Sequence, residues 1–165
     1  MDRAYFVDLF EYTFWANRRV WGCAEGLDEE AYRQDLGYSV GSLHEQFVHT
    51  LMVEHWWLHY LATGEVRFLA WEDFPDRAAV RAQRDRTEAM IRAYLANLTP
   101  EELRREVRPA FWPEGRRPIA AYRALMQVAN HSTDHRAQAL AGVHRLGGAT
   151  VGQDALEYFF ARQAE

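Results

Sequence analysis

Lysine is absent from the sequence, and cysteine occurs once, at Cys23. Without lysine, catalysis through a Schiff base on a lysine amine is excluded. A single cysteine excludes an internal disulfide, a zinc site built on a cysteine pair and a Cys-x-x-Cys redox motif. We therefore predict that Cys23 is a small apolar residue within the packing of a helix.

The sequence also lacks a long hydrophobic run. Its most apolar region, residues 47–61, contains Glu54 and three histidines, whereas a membrane-spanning helix needs about 18 consecutive apolar residues. Acidic residues at positions 2, 8 and 11 interrupt the N-terminal segment, which excludes the apolar core of a signal peptide there. These features predict a cytoplasmic protein without a membrane segment.

Basic residues are fewer than acidic ones. The chain has 19 arginines against 24 acidic residues, which gives a net charge of −5. Nucleic-acid binding normally depends on a basic patch that neutralises the phosphate backbone. The charge balance therefore predicts that nucleic acid is not a partner.

The composition that remains is typical of a globular protein, because 48% of the 165 residues are hydrophobic. The length predicts a single domain over residues 1–165. Apolar residues recur at about 3.6-residue spacing in four long segments, which predicts long helices. In chain order, these segments are residues 4–23, residues 42–62, a segment that begins between 73 and 76 and ends near 98, and residues 118–146. No alternating pattern demands a sheet, so the prediction is an all-α four-helix bundle.

Boundary signals support this division of the chain. Ser42 with Glu45, and Thr99 with Glu102, have the spacing of capping boxes. Pro75 suits the first turn of the third long helix, and glycines at 26, 147 and 148 follow helix ends. Shorter helices are predicted at residues 27–34, 100–106 and 154–164, with a loop at 108–117 that leads into the fourth long helix.

The seven histidines are the candidate ligands of a metal. They lie in the second predicted long helix, at His44, His49, His55 and His59, and in the fourth, at His131, His135 and His144. The pairs His55/His59 and His131/His135 have i, i+4 spacing, which puts two imidazoles on one helix face. Spacing alone does not choose between the two pairs.

A helical projection separates the histidines only in part. His49 falls in a stripe with Val53, Trp56 and Tyr60, which faces the predicted core, while His44, His55 and His59 fall on another side. His131 and His135 fall at the edge of the apolar face of their helix, which suits a metal in contact with both protein and water. The residues themselves leave two interpretations open, namely a metal site, or a hydrogen-bonded core histidine beside a solvated helix face.

Three stretches of the chain resemble the DinB family of bacterial four-helix proteins. They are Tyr-Thr-Phe-Trp-Ala-Asn at residues 12–17, Ser42-Leu43 through His49 to residues 54–57, and Asn-His-Ser-Thr-Asp-His-Arg-Ala-Gln at 130–138. The most specific part is His131, three residues, His135-Arg136, one residue and Gln138, although Ala137 stands where the family often has glycine. The resemblance covers essentially the whole chain and implies a bundle of the DinB/YfiT-like type with short extra helices in its connections.

The resemblance implies that His49, His131 and His135 ligate a divalent transition metal, with zinc or nickel favoured and iron or manganese as alternatives. Three neutral imidazoles leave a coordination position free for water or substrate, as in catalytic zinc sites. Similar proteins include bacillithiol and mycothiol S-transferases and a maleylpyruvate isomerase. The resemblance therefore implies a metal-dependent enzyme that acts on a small molecule, either as a thiol-dependent S-transferase or as a metal-activated hydrolase. The alternative is a non-catalytic metal-binding protein of a damage-inducible stress response, and family analogy also implies a homodimer.

Several residues near the implied ligands have open roles. Arg136 and Gln138 are candidates for holding a substrate carboxylate or orienting a ligand, and Arg136 is equally a candidate for a structural salt bridge. Glu54 and Asp134 are candidates for accepting imidazole N–H groups. A set of aromatic residues either lines an apolar pocket beside the metal or belongs to the bundle core or a dimer interface: Tyr12, Trp15, Trp56, Trp57 and Tyr60.

Overall fold

A computed structural model of the protein describes residues 1–163, and 68% of it is helix. The all-α class predicted from the sequence is confirmed. Four helices are long, and they correspond to the four predicted long segments. Their bounds are Arg3–Glu25 (α1), Leu43–Thr63 (α3), Arg77–Ala96 (α4) and Ala121–Arg145 (α6).

The long helices pack in pairs around a shared apolar interior. Helix α3 contacts both α6 and α4, and α1 likewise contacts both α6 and α4. The largest core cluster draws on all four helices; fully buried members include Phe6 of α1, Leu58 of α3, Ile91 of α4 and Leu125 of α6. Helix α6 therefore lies against α3 on one side and against α1 on the other.

Shorter elements connect the long helices. They are Glu29–Arg33 (α2), a 3₁₀ turn at Trp71–Asp73, Pro100–Arg104 (α5), the strands Glu106–Val107 (β1) and Ile119–Ala120 (β2), and Ala155–Gln163 (α7). All three predicted short helices are present. The predicted end of the last one, at 164, lies outside the described residues.

The two strands are a departure from the sequence prediction, which contained no sheet. They pair antiparallel, with Glu106 opposite Ala120 and Val107 opposite Ile119. Each strand is too short for an alternating pattern to be recognised, and the pairing depends on the chain returning after the 108–117 loop. As a consequence, α5 ends at Arg104 and α6 begins at Ala121, three residues later than the predicted start at Pro118.

The start of α3 follows the predicted capping box. Ser42 accepts a hydrogen bond from the backbone N–H of Glu45, and the Glu45 carboxylate accepts one from the backbone N–H of Ser42. The start of α4 differs from the prediction, because Asp76 caps it and Pro75 lies before the cap. Within residues 1–163, no helix is both long enough and apolar enough to cross a membrane.

Candidate metal centre

Three histidines from two helices meet on one side of the α3–α6 contact. His49 lies on α3, while His131 and His135 lie one turn apart on α6. The ring centroid of His49 is 5.1 Å from that of His131 and 4.7 Å from that of His135, and the two α6 rings are 4.3 Å apart. Each ring offers a nitrogen, and these nitrogens all lie within 4.8 Å of one another. The group could therefore hold a metal ion.

The surroundings of these imidazoles favour their neutral forms. Burial lowers the pKa of His131 to about 4, helped by the neighbouring rings of His135 and His49. Burial is also the main cause of the lowered pKa of His49 and of His135. Only neutral imidazole has a free nitrogen lone pair, so a lowered pKa keeps all three rings available for ligation at neutral pH.

Gln46, one turn before His49 on α3, holds the ring of His135. The Oε1 atom of Gln46 lies 2.7 Å from Nδ1 of His135 and accepts a hydrogen bond from it. The Gln46 amide nitrogen donates in turn to Oε1 of Gln138 at 3.3 Å. With Nδ1 protonated, the lone pair of His135 that can ligate a metal is on Nε2.

The spacing of two of the nitrogens fits a bound ion. The Nε2 atoms of His49 and His131 are 3.2 Å apart. In a tetrahedral site with metal–nitrogen bonds of about 2.0–2.1 Å, two ligand nitrogens are about 3.3 Å apart. Because His49 and His131 are only half-buried, solvent can reach the site.

The other candidate pair, His55/His59, lies elsewhere. Its rings stack at 5.9 Å on α3, but His55 faces Gln83 of α4 at 3.5 Å, and Nδ1 of His59 is 2.9 Å from the carbonyl of Glu65. In residues 1–163, the only group of at least three metal-ligating side chains is His49 with His131 and His135. In the described residues, the His131/His135 pair thus has a third histidine opposite it, whereas the His55/His59 pair does not.

Among the described residues, Glu54 has no hydrogen bond to a histidine, and it belongs instead to a buried polar network between α3, α6 and α1. Its carboxylate accepts hydrogen bonds from Ser132 Oγ and from Asn17 Nδ2. Burial raises the pKa of Glu54, whereas the hydrogen bond from Ser132 and the charge of Arg136 act in the opposite direction. Glu54 thus ties α3 to the turn of α6 between His131 and His135.

Arg136 is also part of this network, and it lines the same small cavity as His135. It is 3% exposed and donates hydrogen bonds to Asn17 Oδ1, Thr133 Oγ1 and Gln153 Oε1. These hydrogen bonds lie within the protein, and the role of Arg136 in holding a substrate carboxylate stays a prediction. A direct salt bridge is missing among the described residues, because the partners of this guanidinium are neutral oxygens.

The expected role of Asp134 differs from the structure, whereas for Trp56, Trp57 and Tyr60 the second alternative, the bundle core, is supported. Asp134 is exposed, and Nδ1 of His131 is buried without a hydrogen-bond partner in the described part of the chain. A cavity of about 30 Å³ adjoins His135, and its aromatic lining consists of Trp21 and Phe47. The predicted aromatic residues are absent from this lining. Trp57 lies in the core, Trp56 and Tyr60 pack against it, and Tyr12 and Trp15 contact Tyr158 of α7.

Comparisons with known proteins agree with this architecture. A DinB-like protein from Bacillus subtilis has a TM-score of 0.63 and 14% identity, over 87% of this chain and 95% of its own. A DinB-like protein from Bacillus cereus ATCC 10987 has a TM-score of 0.59 and 19% identity, over 89% of this chain and 94% of its own. At these identities the likeness concerns the fold. No curated protein matches the chain. A model of the DinB family matches residues 1–165, and the chain therefore belongs to the DinB family.

Proposed function

We propose that this protein is a metal-dependent enzyme whose divalent transition metal is held by His49, His131 and His135. The observation that carries the proposal is the convergence of three neutral imidazole nitrogens within 4.8 Å of one another. Three protein ligands leave at least one coordination position for water or substrate. Gln46 supports the proposal, because it holds His135 in the ligating tautomer.

Zinc and nickel are the favoured ions in this proposal, with iron and manganese as alternatives, because imidazole suits several of these metals. A divalent ion held by these ligands acts as a Lewis acid toward a small thiol or water in its open position. Cys23 packs with the cluster around Val20 and Val143, so in thiol-dependent transfer the thiol comes from a small molecule. The reaction classes are S-transfer to an electrophile, or hydrolysis.

Metal content tests the ligand set. We expect purified protein to bind about one equivalent of zinc or nickel and the variants His49→Ala, His131→Ala and His135→Ala each to lose it. His59→Ala is the matched control, because this histidine also belongs to an i, i+4 pair, and it should retain the metal. Loss of metal in His59→Ala with retention in the other three variants would show that the ligand assignment is wrong.

Catalysis needs a separate test. We expect metal-loaded protein to accelerate the reaction of a small thiol with monobromobimane, or the hydrolysis of 4-nitrophenyl acetate, and His131→Ala to be inactive in the same assay. A protein that binds metal at the three histidines but accelerates neither reaction fits the second candidate, a non-catalytic metal-binding protein of a stress response. That candidate shares the same ligand geometry.

Three further features belong to the proposal. Family membership supports a single domain over residues 1–165 and a homodimer, and the sequence supports a cytoplasmic location. Light scattering of the purified protein measures the mass in solution, for which twice 19.3 kDa is expected. A single cooperative unfolding transition is expected for one domain.

A further inference from the structure

Three aromatic side chains from separate parts of the chain form a cluster on the surface, here called the Trp56 cluster: Trp56 of α3, Phe68 and Phe111. The Trp56 ring lies 6.0 Å from Phe68 and 5.3 Å from Phe111, and the two phenylalanine rings are 5.5 Å apart. Phe68 is nevertheless 58% exposed and Phe111 51% exposed. Large apolar side chains that gather in contact and still face water are a feature of binding surfaces.

The Trp56 cluster and the candidate metal centre lie along the same stripe of α3. His49, Val53 and Trp56 are at helical positions i, i+4 and i+7, so they face the same side of the helix. All three are half-buried, which places the stripe at the outer edge of the α3–α6 contact. Seven residues correspond to two helical turns, or about 10 Å. The cluster is therefore within reach of an extended small molecule whose other end lies at the metal.

The two loops that contribute the phenylalanines are anchored near the end of this stripe. Phe111 belongs to the 108–117 loop, where the backbone N–H of Arg108 donates to the hydroxyl of Tyr60, and Nε of Arg108 donates to the carbonyl of Arg116. Phe68 follows Gly64, the left-handed residue that ends α3, and the carbonyl of Glu65 between them is 2.9 Å from Nδ1 of His59 on α3. The exposed rings are thus held beside α3 by ordered contacts.

We propose that the Trp56 cluster binds the aryl or extended apolar part of a small-molecule substrate while the reacting end of that molecule lies at the three histidines. This inference rests on the proposed function and adds the substrate class to it. Ring–ring packing against Phe68 and Phe111 and burial of their exposed faces provide the binding energy.

The size of the cluster favours a small molecule over a second copy of the chain. An aromatic side chain has roughly 150–250 Å² of surface to bury, and Trp56 is already half-buried by its neighbours. A stable protein interface needs about 800 Å² from each partner. The exposed area of three partly covered rings is well below that figure and matches one ring of a bound molecule.

A matched set of thiols tests the inference on the Co(II)-loaded protein, because thiols bind divalent transition metals through sulfur. The probes are butane-1-thiol, 4-phenylbutane-1-thiol and phenylmethanethiol, with dissociation constants measured by calorimetry and by tryptophan fluorescence. We expect 4-phenylbutane-1-thiol to bind about tenfold more tightly than butane-1-thiol, as burial of part of one phenyl ring would give. Phenylmethanethiol should gain little, because its ring lies too close to the sulfur to reach the cluster.

The variant Phe68→Ala/Phe111→Ala should reduce the tenfold preference to less than about twofold while butane-1-thiol binding stays unchanged. Phe160→Ala, at an exposed phenylalanine of α7, is the control and should keep the preference.

Equal affinity for butane-1-thiol and 4-phenylbutane-1-thiol would overturn the inference and leave the proposed function intact. Failure of all three thiols to bind the metal would count against the proposed function itself. Conversion of a dimer to a monomer by the double variant would show that the cluster is an interface between copies.

Discussion

At the scale of single residues, Gln46 determines the tautomer of one candidate ligand. It is 2% exposed, so its hydrogen bond to His135 is shielded from water. We expect Gln46→Leu to weaken metal binding by about 10–100-fold, the range typical for loss of a hydrogen-bond acceptor behind a ligating histidine. Competition with a chromophoric chelator measures the affinity.

Gln83 provides the control for this prediction. It is also buried, at 8% exposure, and it contacts His55 and Thr87 on the α4 side. Gln83→Leu therefore removes a similar buried amide without touching the three histidines. Equal metal affinity in the Gln46→Leu variant and the unmodified protein would refute the role assigned to Gln46.

Ser132 stabilises the turn of α6 that carries His131 and His135. Its hydroxyl is fully buried and donates to Glu54, and Ser132→Ala leaves that buried carboxylate with only the longer contact to Asn17. We expect a loss of about 1–3 kcal/mol in the free energy of unfolding, the cost of an unsatisfied buried acceptor. Urea denaturation measures it, and Asn130→Ala, an exposed site on the same helix, should change stability much less. A loss no larger in Ser132→Ala than in Asn130→Ala would contradict this account.

The sequence analysis named the three candidate ligands but not Gln46, which holds the ring of one of them. His49, His131 and His135 were identified through a family resemblance, because spacing alone treated His55/His59 as an equal pair. Gln46 has one signal in the sequence, its position one turn before His49, but glutamines at such positions are common. The assignments of Glu54 and Asp134 were wrong for a physical reason, since hydrogen-bond partners depend on which helix lies opposite each face.

At the scale of secondary structure, the start of α3 depends on its capping box. Ser42 is buried and satisfies a backbone N–H of the first turn, and Leu43, which follows it, is fully buried in the core. We expect Ser42→Ala to lower the free energy of unfolding by about 1 kcal/mol, within the range of about 0.5–2 kcal/mol for lost N-caps. Thermal and urea denaturation both measure the change.

Thr99→Ala is the comparison for the cap of α3. Thr99 accepts from the backbone N–H of Glu102, but the Glu102 carboxylate binds Arg105 and Tyr94 and does not return to Thr99. The second predicted capping box is therefore only half present, and its helix has five residues. We expect Thr99→Ala to cost less than Ser42→Ala, and the reverse order would contradict the importance given to the α3 cap.

The long helices were predictable because each carries a repeated apolar stripe and distinct end signals. Gly147, for example, follows α6 with a left-handed backbone at φ 81°, as the predicted helix stop requires. The strands β1 and β2 were not predictable, because two residues carry no pattern and their pairing links positions on both sides of a loop. For a similar reason the second capping box was not predictable in full. The Glu102 carboxylate binds Arg105 in place of the backbone N–H of Thr99, and such competition among side chains appears only in three dimensions.

At the scale of the whole molecule, most histidines are held neutral by the fold. Burial lowers the pKa of five of the seven; these are His44, His49, His55, His131 and His135. In the unfolded chain a histidine has a pKa of about 6.5. Below that pH the unfolded chain therefore binds more protons than the folded one, and the free energy of unfolding falls as pH falls.

For the metal-free protein, we expect stability to decrease from about pH 6.5 to pH 5, a range above the ordinary titration of carboxylates. The loss from His131 continues toward its folded pKa of about 4. Urea midpoints measured at several pH values give the slope, which should be smaller in His131→Ala and unchanged in Asn130→Ala, an exposed site without a titratable side chain on the same helix. A constant midpoint over this range would contradict the lowered pKa values. Protons compete with a metal for the imidazole nitrogens. Because the fold lowers the pKa values of His49, His131 and His135, we expect protons to displace a bound metal only well below the ordinary histidine pKa of about 6.5, which metal analysis after dialysis at each pH would measure.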